Sequence, residues 1–419
     1  MTKQHATIPV ILVTSLFFLW GLANNMTDTL LAAFKKIMSM TDAQTSLIQM
    51  SFYGAYFLLA LPAALYIRQY SYKSGILLGL GLFTAGALLF YPASKTMDYS
   101  HFLAALFILA GGLSILETAA NPYILSLGPE STATRRLNIA QSFNPIGSIS
   151  GVVISKLVIL SALNRANDQE RAVMDGAALR QIQSAELSAV MQAYVGLAVI
   201  LAIVWLIIRM VRMPVDTDTD RSHVGQAFAR LAKNRNYVLG VVAQFFYVGA
   251  QIGVWSFTIR YVMQELGSDE EAASNYYILA LVLFTIFRFI SAGLMRYIKP
   301  AYLLTVLSVS AMVLSLVVSF GGGYAGVYAL VAISGCMSLM FPTIYGLASE
   351  GLGPDRKIGG AGLIMAILGG AVLTYVQGAL SDTLNSINMS YLVPLSCFVV
   401  VAGYGVFHMA RRPVLTQES

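Results

Sequence analysis

Charge is what this chain has least of: 11% of its 419 residues are Asp, Glu, Lys or Arg, against about a quarter in an ordinary soluble domain. A water-soluble domain is excluded by that shortage, since 57% of the residues are hydrophobic and the mean hydropathy is +0.70. Cysteine is nearly missing. Cys336 and Cys397 both lie in apolar runs with no C-x-x-C or histidine spacing around them, and they read as core residues rather than a disulfide or metal site. No glycine-rich phosphate loop, metal-ligand cluster or nucleophile–base set is found, so an enzyme would have to act without recognisable parts. Short segments of alternating hydrophobicity, the mark of a membrane β-barrel, are missing too, as is any filter repeat of a channel.

What the chain does have is long apolar blocks, each near the roughly 20 residues that span hydrocarbon. The blocks predict an all-α membrane protein with twelve transmembrane helices in two six-helix halves. The first half has spans 9–34, 44–67, 73–93, 101–127, 136–161 and 187–210, and the second has 237–264, 274–297, 301–320, 324–347, 358–382 and 390–410. The expected organisation is an N-terminal half 1–211, a linker 212–236 and a C-terminal half 237–419. The linker carries Asp216, Asp218, Asp220, Arg230, Lys233 and Arg235, with a short amphipathic helix over Val224–Lys233. Ile8 to Leu22 runs into Asn24 and Asn25 without a small-residue cleavage site and reads as a retained first helix.

Lysine and arginine set the orientation. With the N-terminus inside, Arg68, Lys73, Arg135, Arg136, Arg209, Arg212, Arg296, Lys299, Arg356, Lys357, Arg411 and Arg412 all fall on the cytoplasmic side, together with the linker cations. The opposite loops hold Lys35, Lys36 and Lys95, plus Arg165, Arg171 and Arg180 in one loop shared with Asp168, Glu170 and Asp175. Both termini are thus expected in the cytoplasm. The net charge of +6 is a topology signal and not a nucleic-acid footprint.

The halves echo each other. Leu127-Gly128-Pro129-Glu130, followed by Arg135 and Arg136, closes the fourth segment, and Leu352-Gly353-Pro354-Asp355, followed by Arg356 and Lys357, closes the tenth. Equivalent loops point to parallel repeats about an axis along the membrane normal, which in transporters place the binding site at the midplane between the halves. The competing account is a common helix-ending turn, since Gly and Pro both stop helices.

Inside the membrane the polar residues fall in patterns. Asp28 and Glu117 are acids within apolar spans, where a carboxylate costs roughly 2.5–3.5 kcal/mol and usually marks an ion or solute path. Asn24 and Asn25 share a helical face with Asp28, while Asn121 lies one turn past Glu117, beside a Pro122 that predicts a kink. Asn138, Gln141 and Asn144 repeat at spacing three in the fifth segment. Amides can donate to and accept from sugar hydroxyls; equally they serve as interhelical glue, each bond contributing under about 1 kcal/mol on average. The seventh segment carries a stripe of Gln244, Tyr247, Gln251 and Trp255, suited to stacking a pyranose and bonding its edge, although Trp255 also fits an interfacial belt. Arg288, deep in the eighth segment, reads equally as an ion-pair partner or as a lining residue, whereas Arg260 and Lys156 lie where snorkelling is the default.

At these residues the chain resembles the fucose:proton symporter family of the major facilitator superfamily. The matching runs are Phe17–Asp28 (FFLWGLANNMTD), Leu116–Ser131 (LETAANPYILSLGPES), Arg136–Asn144 (RLNIAQSFN) and Ala243–Tyr261 (AQFFYVGAQIGVWSFTIRY), within a likeness running from about Ile11 to about Ala402. Branches that carry glucose, galactose or N-acetylglucosamine typically have Gln at the Glu117 position and replace the two asparagines, so this chain sides with the fucose branch. The resemblance implies a major facilitator fold and import of a monosaccharide, L-fucose first, with protons. The alternative is another hexose (galactose, glucose or an amino sugar), sodium-coupled or uncoupled. Asp28 and Glu117 would be the acids of binding and proton coupling, and Asn25, Gln141 and Asn144 would line the sugar cavity. Two departures stand out: Thr27 replaces an Asn, and Phe341 in Met337–Leu347 replaces a cavity Tyr, removing one hydroxyl. No cofactor beyond the coupling proton is implied. The expected partners are the sugar, protons and the lipid bilayer, with no nucleic acid, for a functional monomer in a bacterial inner membrane.

Overall fold

The computed structural model describes residues 4–37, 42–96, 98–159, 164, 170–171, 173–214 and 224–410. Side chains at 4–7, 27–36, 42–47, 49, 156, 159, 189 and 270 lie outside the described set, so the Asp28, Thr27 and Lys156 side chains do as well, along with linker residues 215–223.

Every regular element among the described residues is helical. A membrane imposes this, because hydrocarbon offers no partner to a backbone N–H or C=O and a helix satisfies them within itself. Eleven spans among the described residues are long and apolar enough to cross a bilayer. The remaining segment, the fifth, is present in pieces: Ala133–Gln141, then Phe143–Ile154, then a π-helical turn Ser155–Ile159. Pro145 accounts for the first break, since it lacks an N–H and its ring crowds the carbonyl of Gln141, four residues back. The Ser142 N–H keeps its ordinary bond to the carbonyl of Asn138 at 3.0 Å and shares it with that of Ile139 at 3.1 Å. With this broken helix the described residues hold twelve segments.

The tenth segment breaks in the same way, between Gly323–Met337 and Met340–Ala348, just ahead of Pro342. The kink expected at Pro122 is not a break: the fourth segment runs continuously over Tyr99–Ser126. Several helix starts are capped by short polar side chains. Asp175 accepts from Ala177 N at 3.1 Å, Asn234 from Tyr237 N at 3.2 Å and Asp269 from Ala272 N at 2.8 Å.

The chain packs as two compact units. One comprises Met1–Leu127 with Phe143–Thr219, the other Gly128–Ser142 with Asp220–Ser419. In the first, the first segment (Gln4–Ile37) packs on Phe143–Ile154, and the third (Tyr72–Thr96) packs on the fourth and on the sixth (Gly176–Met210). In the second, the seventh segment (Arg235–Leu266) packs on Gly369–Leu384 and Leu392–Ala410, and the eighth (Glu270–Leu294) on the tenth. Outer faces are apolar. Val199, Ile203, Leu206 and Met210 are exposed at helical spacing on the sixth segment, which suits lipid as the solvent.

The echoed loops each form a 3-10 turn, Glu130–Thr132 and Gly353–Asp355, the second entered through Gly353 at φ +48°. Within the second unit they meet: Glu130 accepts from Gly351 N at 2.8 Å and from Arg356 at 3.2 Å. Asp355 takes a two-pronged bond from Arg230, 2.7 Å on each oxygen, which anchors the amphipathic helix Val224–Lys233. On the loop before the sixth segment, Arg171 forks onto Glu186 at 3.0 and 2.5 Å with both side chains 1% exposed. That geometry satisfies a buried charge pair which would otherwise be costly.

Candidate functional site

In the first unit the site is built around Glu117, about two-thirds of the way along the fourth segment and 2% exposed. Its Oε1 accepts a hydrogen bond from the Tyr56 hydroxyl at 2.8 Å, and that hydroxyl accepts from Trp20 Nε1 at 3.0 Å. Ser114, one turn before Glu117, donates to the Tyr56 carbonyl at 3.1 Å and fixes the second segment to the fourth at this level. Glu117 Oε2 has no hydrogen-bond partner among the described residues. One oxygen is therefore held and the other is open to a proton or a hydroxyl, the two things a carboxyl can serve.

Other expected residues gather on the same unit. Asn121 is fully buried one turn past Glu117, and Asn24 and Asn25 are half-buried on the first segment. Asn25 donates back to Gly21 O in its own helix at 3.4 Å. Asn144 Nδ2 donates to Phe17 O at 3.2 Å, joining the fifth segment to the first. That bond is the interhelical role that was the alternative for such amides. The Asp28 side chain lies outside the described residues.

The second unit holds a different chain of contacts. Arg288 is 4% exposed; its Nη2 donates to Gln141 Oε1 at 3.2 Å, and its guanidinium lies 5.2 Å from the Phe284 ring centre. No ion-pair partner for Arg288 occurs among the described residues, and its Nε has no hydrogen-bond acceptor there. Trp255 meets Phe284 edge-on at 5.0 Å and donates from Nε1 to Ser334 Oγ at 3.2 Å. Tyr247 donates to Met337 O at 3.0 Å, its ring 6.4 Å from that of Phe341, which stacks in turn on Tyr345.

Two members of the seventh-segment stripe keep polar atoms in hand. Gln244 is fully buried, and neither its amide nitrogen nor its oxygen has a partner among the described residues. Leaving such groups unmade costs about 1–3 kcal/mol each. Gln251 is half-buried. The three amides at spacing three do not form one continuous helical row, because the break at Ser142 separates Asn138 and Gln141 from Asn144. Asn138 is spent on Thr134 O at 2.9 Å and Thr343 Oγ1 at 3.2 Å.

Sequence reasoning missed Tyr56, Trp20, Phe284 and Ser334. Trp20 lies inside the Phe17–Asp28 run, but Tyr56 is 61 residues from the carboxylate it binds, and no local pattern marks it.

A Major Facilitator Superfamily profile matches residues 13–366. The L-fucose-proton symporter of Haemophilus influenzae is 41% identical over 417 residues, covering 96% of this chain and 97% of that protein. The L-fucose-proton symporter of Escherichia coli K12 is 40% identical over 403 residues, 94% of this chain and 91% of that one. A crystal structure of the major facilitator transporter FucP in the outward conformation superposes with a TM-score of 0.91 at 38% identity, over 96% of this chain and 99% of the other.

Proposed function

This chain belongs to the major facilitator superfamily, and we propose that it imports L-fucose in symport with protons by alternating access. The observation that carries the proposal is Glu117, a buried carboxyl about two-thirds of the way along a membrane helix, with one oxygen held by Tyr56 and the other without a partner among the described residues. Intramembrane acids of this kind mark proton relays and solute paths. The L-fucose-proton symporters of H. influenzae and E. coli support the choice of sugar and ion.

In this reading Glu117 and Asp28 carry the proton. Sugar hydroxyls bond to Asn24, Asn25, Asp28, Glu117, Asn121, Gln141 and Asn144, and to Gln244, Gln251 and Arg288; Tyr247, Trp255 and Phe341 supply ring faces. Gln244 supports this most directly, since a buried amide with both ends unmade suits a polar solute that supplies a donor and an acceptor. The chain spans the membrane many times. We place it in a bacterial inner membrane with both termini cytoplasmic, working as a monomer without a cofactor.

A second reading, import of another hexose such as galactose, rests on Phe341. The ring lies buried between Tyr247 and Tyr345, where the fucose branch is expected to carry a hydroxyl.

The test is uptake into proteoliposomes over a panel of labelled monosaccharides, with and without an inward proton gradient. L-fucose should be accumulated only with the gradient. Glucose uptake without L-fucose uptake would remove the sugar assignment, and accumulation indifferent to pH would remove the proton.

A further inference from the structure

The carboxyl of Glu117 is held in a particular way. Its Oε1 receives the Tyr56 hydroxyl at 2.8 Å, and Tyr56 is itself fixed at three points. Trp20 Nε1 donates to its hydroxyl at 3.0 Å, Ser114 donates to its backbone carbonyl at 3.1 Å, and Phe52 lies against its ring at 5.3 Å between centres. A tyrosine hydroxyl has one proton to give. Because Trp20 occupies an acceptor site of that oxygen, the proton is directed to Glu117. The second carboxyl oxygen, Oε2, is buried and unpartnered among the described residues.

We propose that Tyr56, held by Trp20, is a positioning residue for Glu117: it fixes Oε1 and leaves Oε2 as the oxygen that gains and loses the coupling proton. The proposal rests on the proton-coupling role given to Glu117 above. Loading forms an O–H bond at Oε2 with a proton from water, and unloading returns it to water. In the ionised state Tyr56 donates to a charged acceptor, which favours that state. The hydroxyl thereby sets how readily Glu117 releases its proton.

Few other groups can do this. Tyr53 lies beside Tyr56 on the second segment, and Tyr123 is further along Glu117's own helix. The third segment brings Gly79 against the Leu116 backbone, and its ionisable residues Tyr72, Lys73, Tyr91 and Lys95 sit towards its two ends. The first segment contributes Trp20 through Tyr56, while the Asp28 side chain is outside the described residues.

Infrared spectroscopy of the purified full chain follows the carbonyl stretch of a protonated carboxyl, and the band missing from Glu117→Gln belongs to Glu117. In Tyr56→Phe, which keeps the ring against Phe52, the midpoint of that band should move to higher pH by about one unit, the scale of one hydrogen bond to a charged group. Trp20→Phe should move it the same way by less, while thermal melting reports that each variant is folded. A merely structural role for Tyr56 would change melting and leave the midpoint where it was. The readout needs no sugar, so a protein that ignores L-fucose yet shows the shift refutes the substrate and keeps the positioning role. A midpoint unchanged in Tyr56→Phe, or no band assignable to Glu117 at any pH, overturns the proposal.

Discussion

Gly147 lies so close to Phe18 that a Cβ added to it would overlap the Phe18 carbonyl oxygen, and Gly369 stands in the same relation to the carbonyl of Phe245. The two contacts join the fifth segment to the first and the eleventh to the seventh, like-numbered segments of the two six-helix halves. The runs Phe17–Gly21 and Phe245–Gly249 both read Phe-Phe-x-x-Gly, with the contacted carbonyl on the second Phe of one and the first Phe of the other, so the two close approaches use like segments one residue out of register. In lipid, small residues that let backbones approach closely are a main source of helix association.

Either glycine should therefore be intolerant of a single methyl. Gly147→Ala and Gly369→Ala each force backbones apart, at a cost of about 1–3 kcal/mol by analogy with overpacked cores. Gly196→Ala, with nothing within 4 Å of its added Cβ, should be neutral or slightly stabilising. Thermal melting in detergent compares the three. Equal melting for Gly147→Ala and Gly196→Ala would mean the close approach carries no weight.

The cap on the fourth segment should titrate. Asp98 accepts from Ser100 N at 2.8 Å and also from the Ser100 hydroxyl, and these bonds to its ionised form hold its carboxyl below the usual carboxylate range. A depressed folded value means the contribution is complete above the ordinary range and is lost as pH falls through the folded value. Protection at 99–103, the exchange rate relative to the intrinsic rate at each pH, should fall in acid for wild type. Asp98→Ala should show the low protection at all pH; wild-type protection in that variant at neutral pH would remove the cap.

Most of the fold was legible because hydrocarbon thickness is a strict ruler: an apolar run either reaches it or does not. The amphipathic helix Val224–Lys233 was legible at both ends. The break at Ser142 was not drawn from the sequence, although Pro145 carried the information, because a long apolar run reads as continuous whatever its backbone does. Glu117 stood out since an acid in hydrocarbon needs a reason. Tyr56 did not, being one of 22 tyrosines and amphipathic enough to sit anywhere in a membrane helix. Asn144 shows where spacing stops: it suited a site and an interhelical bond equally, and one of its two amide protons goes to a backbone carbonyl.

Orientation follows from the cations. Lys233, exposed at the end of the amphipathic helix, and Glu271, exposed at the start of the eighth segment, lie at opposite ends of the seventh. In intact cells an impermeant maleimide should reach Glu271→Cys and not Lys233→Cys, and lysis should expose the second. External labelling of Lys233→Cys would invert the topology.

Sugar choice should respond to Phe341. The ring is 7% exposed between Tyr247 and Tyr345, so Phe341→Tyr adds a hydroxyl to an aromatic wall without a large change of shape. One neutral hydrogen bond contributes about 0.5–1.5 kcal/mol, so preference for L-fucose over D-galactose should rise by roughly three- to tenfold. Calorimetry with both sugars gives the ratio. A ratio unchanged by the substitution would take Phe341 out of the binding set.

Coupling and binding should separate at Glu117. Glu117→Gln keeps the shape of a protonated carboxyl and can still receive the Tyr56 hydroxyl on its amide oxygen, so the local packing of Tyr56 and Trp20 survives. What it cannot do is release a proton. A carrier locked in its loaded form still exchanges sugar across the membrane, because exchange needs only the loaded conformations to interconvert. Net uphill uptake needs the empty carrier to return deprotonated. Glu117→Gln should thus retain equilibrium counterflow of L-fucose within a fewfold of wild type while losing accumulation driven by a proton gradient. Asp28→Ala, which removes a charged acceptor contributing about 1.5–3 kcal/mol, should instead weaken sugar binding by roughly ten- to a hundredfold. Uptake and counterflow measured on the same vesicles separate the two effects, and accumulation against a gradient by Glu117→Gln would place the coupling proton on another residue.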